Sequence, residues 1–352
     1  MKSNYLYGAR VLLTAAFLIG VMTVTNHCEA QRTPTLSQPD RHGVRRLSRP
    51  VRCSEYEELA GDPAVMLDGA KFRMFCTGLD KQVKGGGISE AVSANGMDWN
   101  LATAGDAKTG LGIVLRGQPK SWDYQLETAY PVLFAGKTFL YYCGYPKVGW
   151  PKNPGQIGVA IASDAINFCR THEEAPVLAV TKDGYDANGL YSPVLKPLGN
   201  GLAMIYTGHC YKSNRVTPGI YLLGATSNDG VVWKKLDTPV LKPSTQYPFM
   251  INGVGESEIL LGPDKKYYLL FTGNLGDDEK RLIAVGRSES IFGPYTVRKE
   301  PLLEALPGSF DEKGVLAPSA LIEGKNLRLW YLTSNGDKHM TGYAEMPWPP
   351  KF

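Results

Sequence analysis

Short apolar runs separated by glycine-bearing turns recur along the chain from about residue 60 to its end. The clearest is FRMFCTG at 72–78. It returns as FLYYCG at 139–144, LAMIYTG at 202–208, YYLLFTG at 267–273 and, more weakly, LRLWYLT at 327–333. The first four end on glycines spaced 66, 64 and 65 residues apart. A shorter apolar run precedes each copy, at 64–67, 132–134, 194–195, 259–261 and 320–322, across turns such as Asp68-Gly69, Gly136-Lys137 and Glu323-Gly324. Two strands joined by so tight a turn form an antiparallel hairpin. A third run follows after a polar loop, at 87–92, 157–161, 222–226, 282–285 and 340–344. Three of these lead into turns that end on an aromatic, SANGMDW at 93–99, SDAINF at 163–168 and SNDGVVW at 227–233. Short elements such as PVL at 176–178 and 239–241 then carry the chain to the next unit. Five such units, each too thin to bury both its faces, predict an all-β fold: a five-bladed β-propeller with four antiparallel strands per blade.

Composition narrows the class further. The 352 residues are 43% hydrophobic and 20% charged, with 39 Gly, 24 Pro and 19 Tyr. That is too apolar for a disordered chain and too rich in Gly and Pro for a coiled coil. The net charge of +4 is gathered ahead of the repeats, where residues 31–52 hold six arginines against the single acid Asp40. The repeat region is left slightly acidic. A nucleic-acid-binding body would carry the basic excess itself, so nucleic acid is not an expected partner.

Lys2 and Arg10 precede the apolar run VLLTAAFLIGVMTV at 11–24, and a polar stretch then ends on Cys28-Glu29-Ala30. Charged start, apolar middle and small residues at the −3 and −1 positions make residues 1–30 a secretory signal peptide. The run is shorter than the roughly 20 residues of a spanning helix. The protein is therefore expected to be secreted or periplasmic, with an uncleaved membrane anchor over 11–24 as the alternative. Residues 31–52, rich in Pro, Arg, Ser and Gln, are expected to be a flexible basic linker, leaving 53–352 for the propeller. Cleavage leaves Cys53, Cys76, Cys143, Cys169 and Cys210, an odd number, so at least one is unpaired. No Cys or His spacing marks a zinc site. Cys76, Cys143 and Cys210 sit near equivalent strand ends and are expected to be buried small hydrophobes.

The SANGMDW and SNDGVVW turns, the PVL elements, Ser121-Trp122-Asp123 ahead of the second blade and Asp62-Pro63 opening the first resemble one group. It is the five-bladed propeller glycoside hydrolases: the arabinanase, xylosidase, invertase, levansucrase and mannoside-phosphorylase relatives. The resemblance covers 53–346 and implies cleavage of a glycosidic bond in an oligo- or polysaccharide between two carboxyl groups. In a propeller the starts of the innermost strands ring one mouth. Aligning the blades there gives Asp62-Pro63, Tyr130-Pro131, Ser192-Pro193, Glu256-Ser257 and Ala317-Pro318. By resemblance Asp62 is the general base, or the nucleophile of a retaining enzyme. Glu256 is the general acid, its pKa raised by burial. The competing reading makes both of them caps on backbone N–H groups at strand starts, and Glu258 is a rival to Glu256. The resemblance also implies an Asp in blade three, where this sequence has Ser192. Asp186 and Glu127 are the carboxylates available to replace it.

The loops at 81–87, 145–156, 209–218, 274–281 and 335–339 are expected to form a polar, aromatic rim. Tyr145 and Trp150 would stack on sugars, with Trp122 and Tyr191 as further substrate contacts. His209, Lys212 and Arg215 would hold hydroxyls or an anion such as a uronate or phosphate. Trp99, Phe168 and Trp233 are expected to anchor blade packing. No phosphate loop or serine-nucleophile elbow is present. No cofactor or metal-ligand set is expected, although a structural calcium on the axis is open without a motif to support it. Beside the hydrolase stand two other readings, a non-catalytic propeller binding carbohydrate or protein, and a glycoside phosphorylase.

Overall fold

The computed structural model describes residues 35–53, 61–80, 85–102, 112–146, 153–164, 166–275, 280–334 and 339–352. The apolar run at 11–24, the cleavage after Ala30 and part of the rim, including Trp150, lie outside these residues. Among the described residues no helix is long and apolar enough to cross a membrane.

Five antiparallel sheets succeed one another along the chain. Blade one comprises Gly61–Asp68, Lys71–Asp80, Gly85–Ser93 and Asn100–Leu101. Blade two comprises Gln125–Phe134, Lys137–Tyr145, Gln156–Ala162 and Cys169–Arg170. Blade three is Leu190–Leu198, Gly201–Cys210, Gly219–Ser227 and Lys234–Lys235. Blade four is Gly255–Leu261, Tyr267–Gly273, Leu282–Ser288 and Thr296–Val297. Blade five draws Leu316–Glu323, Asn326–Ser334 and His339–Pro347 from its own repeat. The five-bladed propeller read from the repeats is the observed fold.

Middle strands are apolar on both sides because each blade is packed between two others. Trp330, Tyr141, Tyr142, Tyr206 and Tyr331 are all fully buried there. The aromatic-ended turns lock neighbouring blades. Tyr141 donates its hydroxyl to Gly230 O at 2.6 Å and Trp330 donates Nε1–H to Gly96 O at 2.8 Å. Trp233 packs edge-on against Tyr141, Trp99 against Trp330, and Phe168 against Phe75. Cys76, Cys143 and Cys210 are buried free thiols, while Cys169 is free and exposed.

One expectation fails at the seam. The described part of the supposed linker is ordered edge structure. Arg45–Arg46 pairs with Glu345 and Ala344, and Arg52–Cys53 pairs with Thr341 and Met340, so this segment supplies the outer edge of blade five. Val44 and Leu47 are buried, and Arg46 forms a 2.8 Å ion pair with Asp311, which is 1% exposed. The physical reason is ring closure. The fifth repeat ends at its third strand, whose free edge would otherwise leave backbone groups unpaired.

Candidate active site

Each inner strand bulges at its start. The pairing register breaks between Gly61 and Ala64, Glu127 and Tyr130, Tyr191 and Val194, Gly255 and Ser257, and Leu316 and Ser319. The bulged residues Asp62, Thr128, Ser192, Glu256 and Ala317 have φ of 45–50°. That left-handed conformation costs a non-glycine residue about 1–2 kcal/mol. A bulge re-aims its side chain, and these five line a single funnel contributed by all five blades. Hydroxyls of the neighbouring blade hold four of them. Thr77 Oγ1 accepts the Thr128 N–H at 3.0 Å, Thr128 Oγ1 accepts that of Ser192 at 3.1 Å, Thr207 Oγ1 that of Glu256 at 2.8 Å, and Thr272 Oγ1 that of Ala317 at 3.0 Å.

Blade two therefore differs from the alignment on Tyr130-Pro131. Its mouth residue is Thr128, and Pro131 is not the counterpart of Pro63, Pro193 or Pro318. Tyr130 lines the funnel as well. The corrected register makes Glu127 the residue just before the bulge, equivalent to Gly61, Tyr191, Gly255 and Leu316.

Asp62, Glu127 and Glu256 form one electrostatic group, drawn from blades one, two and four. Each is half-buried; Asp62 and Glu256 line the funnel, and Glu127 precedes the lining residue Thr128. Burial raises the Glu127 pKa to about 7, helped by the charges of Asp62 and Glu256. Glu256 is likewise raised to about 7 by burial and then by Asp62. Its Oε2 has no hydrogen-bond partner among the described residues, whereas Tyr145 donates its hydroxyl to Glu127 Oε2 at 2.8 Å. Asp62 is raised by burial, while the Thr77 hydroxyl at 2.9 Å and nearby His339 pull it down. The backbone caps are hydroxyls rather than these carboxyls, which argues against a capping role for Asp62 and Glu256.

Glu258 is not a rival to Glu256. It is 1% exposed and accepts the Tyr130 hydroxyl at 2.8 Å, with Lys196 Nζ 3.3 Å away. Asp186 does not reach the funnel either. It is 2% exposed, accepts the Tyr206 hydroxyl at 3.2 Å and the Thr181 N–H at 2.9 Å, and pairs with Lys235. Asp123 does the same in blade two with Tyr142 and Arg170, and Asp311 in blade five with Tyr331 and Arg46. Asp186 is thus one of three structural carboxylates, and Glu127 is the third acid near the funnel. Trp122 stacks on Tyr142 beside Asp123, in the wall of blade two.

Ser192 lines the funnel. Tyr191 is buried against the His209 ring, centroids 4.7 Å apart. Burial lowers His209 to about 4, so it carries no charge at neutral pH. Arg215 and Lys212 are exposed on the following loop. His339 is expected from the sequence only as the end of a rim loop. In the structure it begins the third strand of blade five, its Nδ1 is buried without a partner among the described residues, and Asp62 acts on its charge. Nothing local in the sequence marks it, because Asp62 lies across the ring seam. Among the described residues no cluster of His, Cys, Asp and Glu fits a metal ion.

No protein-family model matches the sequence, and no curated protein matches it. Solved structures do. One described as a complex of BT0996 and RGII has a TM-score of 0.69 at 18% identity, covering 90% of this protein and 96% of that one. One described as a glycoside hydrolase also scores 0.69, at 17% identity over 90% and 96%. A third comes from work on the GH130 family of mannoside phosphorylases, said to contain glycoside hydrolases that target β-1,2 mannosidic linkages in Candida mannan. It scores 0.63 at 13% identity, over 89% and 94%. At such identities the likeness is one of fold. This protein has the five-bladed β-propeller fold found in glycoside hydrolases and mannoside phosphorylases.

Proposed function

We propose that this protein cleaves a glycosidic bond, with Asp62, Glu127 and Glu256 as its working carboxyls. The observation that carries the reading is their convergence at one axial funnel, where burial raises all three pKa values and the Asp62 charge raises those of Glu127 and Glu256 further. A carboxyl with a pKa near 7 still holds a proton at working pH and can donate it to the leaving oxygen, the part assigned to Glu256. Asp62, the group pulled down by Thr77 and His339, then removes the proton from attacking water, or attacks the sugar directly in a retaining enzyme. Glu127, braced by Tyr145, takes the third-acid position that Ser192 leaves empty. The fold neighbours support the substrate class, since they are described as glycoside hydrolases and, in one case, as a complex with RGII. Export is proposed on the character of residues 1–30.

The test is sugar release by the full-length protein from arabino-, xylo- and manno-oligosaccharides and aryl glycosides, with and without phosphate. Wild type is expected to release sugar, and Asp62→Asn and Glu256→Gln to lose at least about a hundredfold in rate while remaining folded. Strict phosphate dependence would turn the reading to phosphorolysis. A silent wild type that still binds glycans would replace the enzyme by a carbohydrate-binding propeller.

A further inference from the structure

Corrected register places two side-chain pairs at the same positions of adjacent blades. Glu127 and Tyr191 each precede a bulge, and each pairs across the hairpin, with Cys143 and Thr207 respectively. Two residues beyond those partners stand Tyr145 and His209. Blade two thus carries Glu127–Tyr145 where blade three carries Tyr191–His209. Burial raises the Tyr191 hydroxyl most, and the Glu127 charge also acts on it.

The rings in blade three are built in rather than left over. A Cβ on Gly155 would lie 2.7 Å from Tyr191 Cε1, and one on Gly189 (φ 143°) would lie 2.5 Å from Cε2. Two glycines therefore clear a slot for the Tyr191 ring, and the Gly155 N–H donates to its hydroxyl at 3.3 Å. His209 stands against Tyr191 and against Tyr211, centroids 5.6 Å apart in the second pair. His209 Nδ1 and the Tyr211 hydroxyl are 2.7 Å apart. Tyr211 is anchored by its N–H to Asn188 Oδ1 at 2.8 Å, and Asn188 N–H donates to His209 O at 2.8 Å. Yet Tyr211 remains 46% exposed.

A line of rings leads from the neighbourhood of Glu127 to solvent, already held in place and so losing little freedom when a ligand covers it. Resting on the glycosidase reading above, we infer that Tyr191, His209 and Tyr211 form a shelf binding an uncharged sugar unit next to the one in the funnel. Aromatic faces suit the C–H faces of a sugar ring. Among the described residues His209 Nε2 has no partner and is available to a sugar hydroxyl. The unit is uncharged because none of the three rings carries a positive charge, His209 being neutral, and because Glu127, whose charge acts on Tyr191 when ionised, would repel a uronate. Of the two roles expected of His209, holding a hydroxyl or an anion, the shelf takes the first.

The experiment measures affinity rather than turnover. Full-length Glu256→Gln is titrated calorimetrically with mono-, di- and trisaccharides of the arabinose, xylose and mannose series. In at least one series the disaccharide is expected to bind about tenfold more tightly than the monosaccharide. Tyr211→Ala, a change at an exposed ring, should bring that ratio close to one, and Tyr211→Phe should keep it. A panel with no gain from mono- to disaccharide overturns the shelf, as does a gain that survives Tyr211→Ala. The outcome separates from the catalytic reading: if wild type releases no sugar but the gain depends on Tyr211, the shelf stands and the glycosidase falls.

Discussion

Glu256 ends in a carboxyl oxygen that no described protein group satisfies, beside Asp62, whose charge it must tolerate. Such a carboxyl is stabilised by keeping its proton. Removing the Asp62 charge in Asp62→Asn should move the titration midpoints of both Glu256 and Glu127 below about 7, followed by carbon-13 NMR of labelled glutamate carboxyls. Midpoints that stay put would mean the three groups do not share a field. The same shifts set a stability trend. Glu127 and Glu256 are raised from 4.5 to about 7, so the folded state holds more protons than the unfolded one between those values. Their contribution is fully present below 4.5 and lost as pH rises through 7. Glu256→Gln should therefore gain more in melting temperature over wild type at pH 8 than at pH 5. Asp62 and Glu256 were legible in the sequence because they open repeats at the mouth position. Glu127 was harder to place, since the Tyr130-Pro131 dipeptide imitates the Pro-bearing mouths of blades one, three and five and draws the alignment past the bulge.

At the scale of elements, the blades repeat a hydrogen-bonded unit of aspartate, tyrosine and cation. Asp123, Asp186 and Asp311 precede Tyr142, Tyr206 and Tyr331 by 19, 20 and 20 residues. The cation comes from the outer edge, as Arg170, Lys235 or Arg46. The aspartate pins the loop entering a blade to that blade's middle and outer strands. Asp186→Asn leaves Lys235 without its charge partner and should destabilise the fold by about 3 kcal/mol, as breaking a largely buried pair does. Activity per folded molecule should be retained, and loss of activity without loss of melting temperature would return Asp186 to the substrate. The recurring Asp-to-Tyr interval was present in the sequence as a signal of structure. It was obscured by the closeness of Asp186 to Ser192 along the chain, which says nothing of where a bulged strand turns its side chains.

Across the whole molecule the ring closes through the segment at 44–53. Leu47 N–H donates to Tyr343 O at 3.1 Å and Val51 N–H to Thr341 O at 2.9 Å, continuing the edge between the two short pairings. Arg46 also donates to Glu304 O at 2.7 Å. A protein lacking residues 1–53 would expose the outer edge of blade five and leave Asp311 with no cation. Its melting temperature should fall by more than the roughly 4–8 °C that 1 kcal/mol represents in a small domain, and by more than that of Arg46→Ala. Equal melting of the truncated and intact proteins in calorimetry would show that the ring does not depend on this strap.

The number and order of the blades, their hairpins and the aromatic anchors Trp99, Phe168 and Trp233 were determined by the sequence alone. Those features are written in patterns along the chain: alternating apolar positions, tight turns and a regular interval. Which carboxyls meet, and which segment closes the ring, was decided only by the tertiary structure. A bulge shifts strand register without changing composition, so Glu127 enters the site and Asp186 leaves it for reasons invisible to spacing. Arg46 finds Asp311 across 265 residues, and a free strand edge accepts whichever segment the closed ring brings beside it.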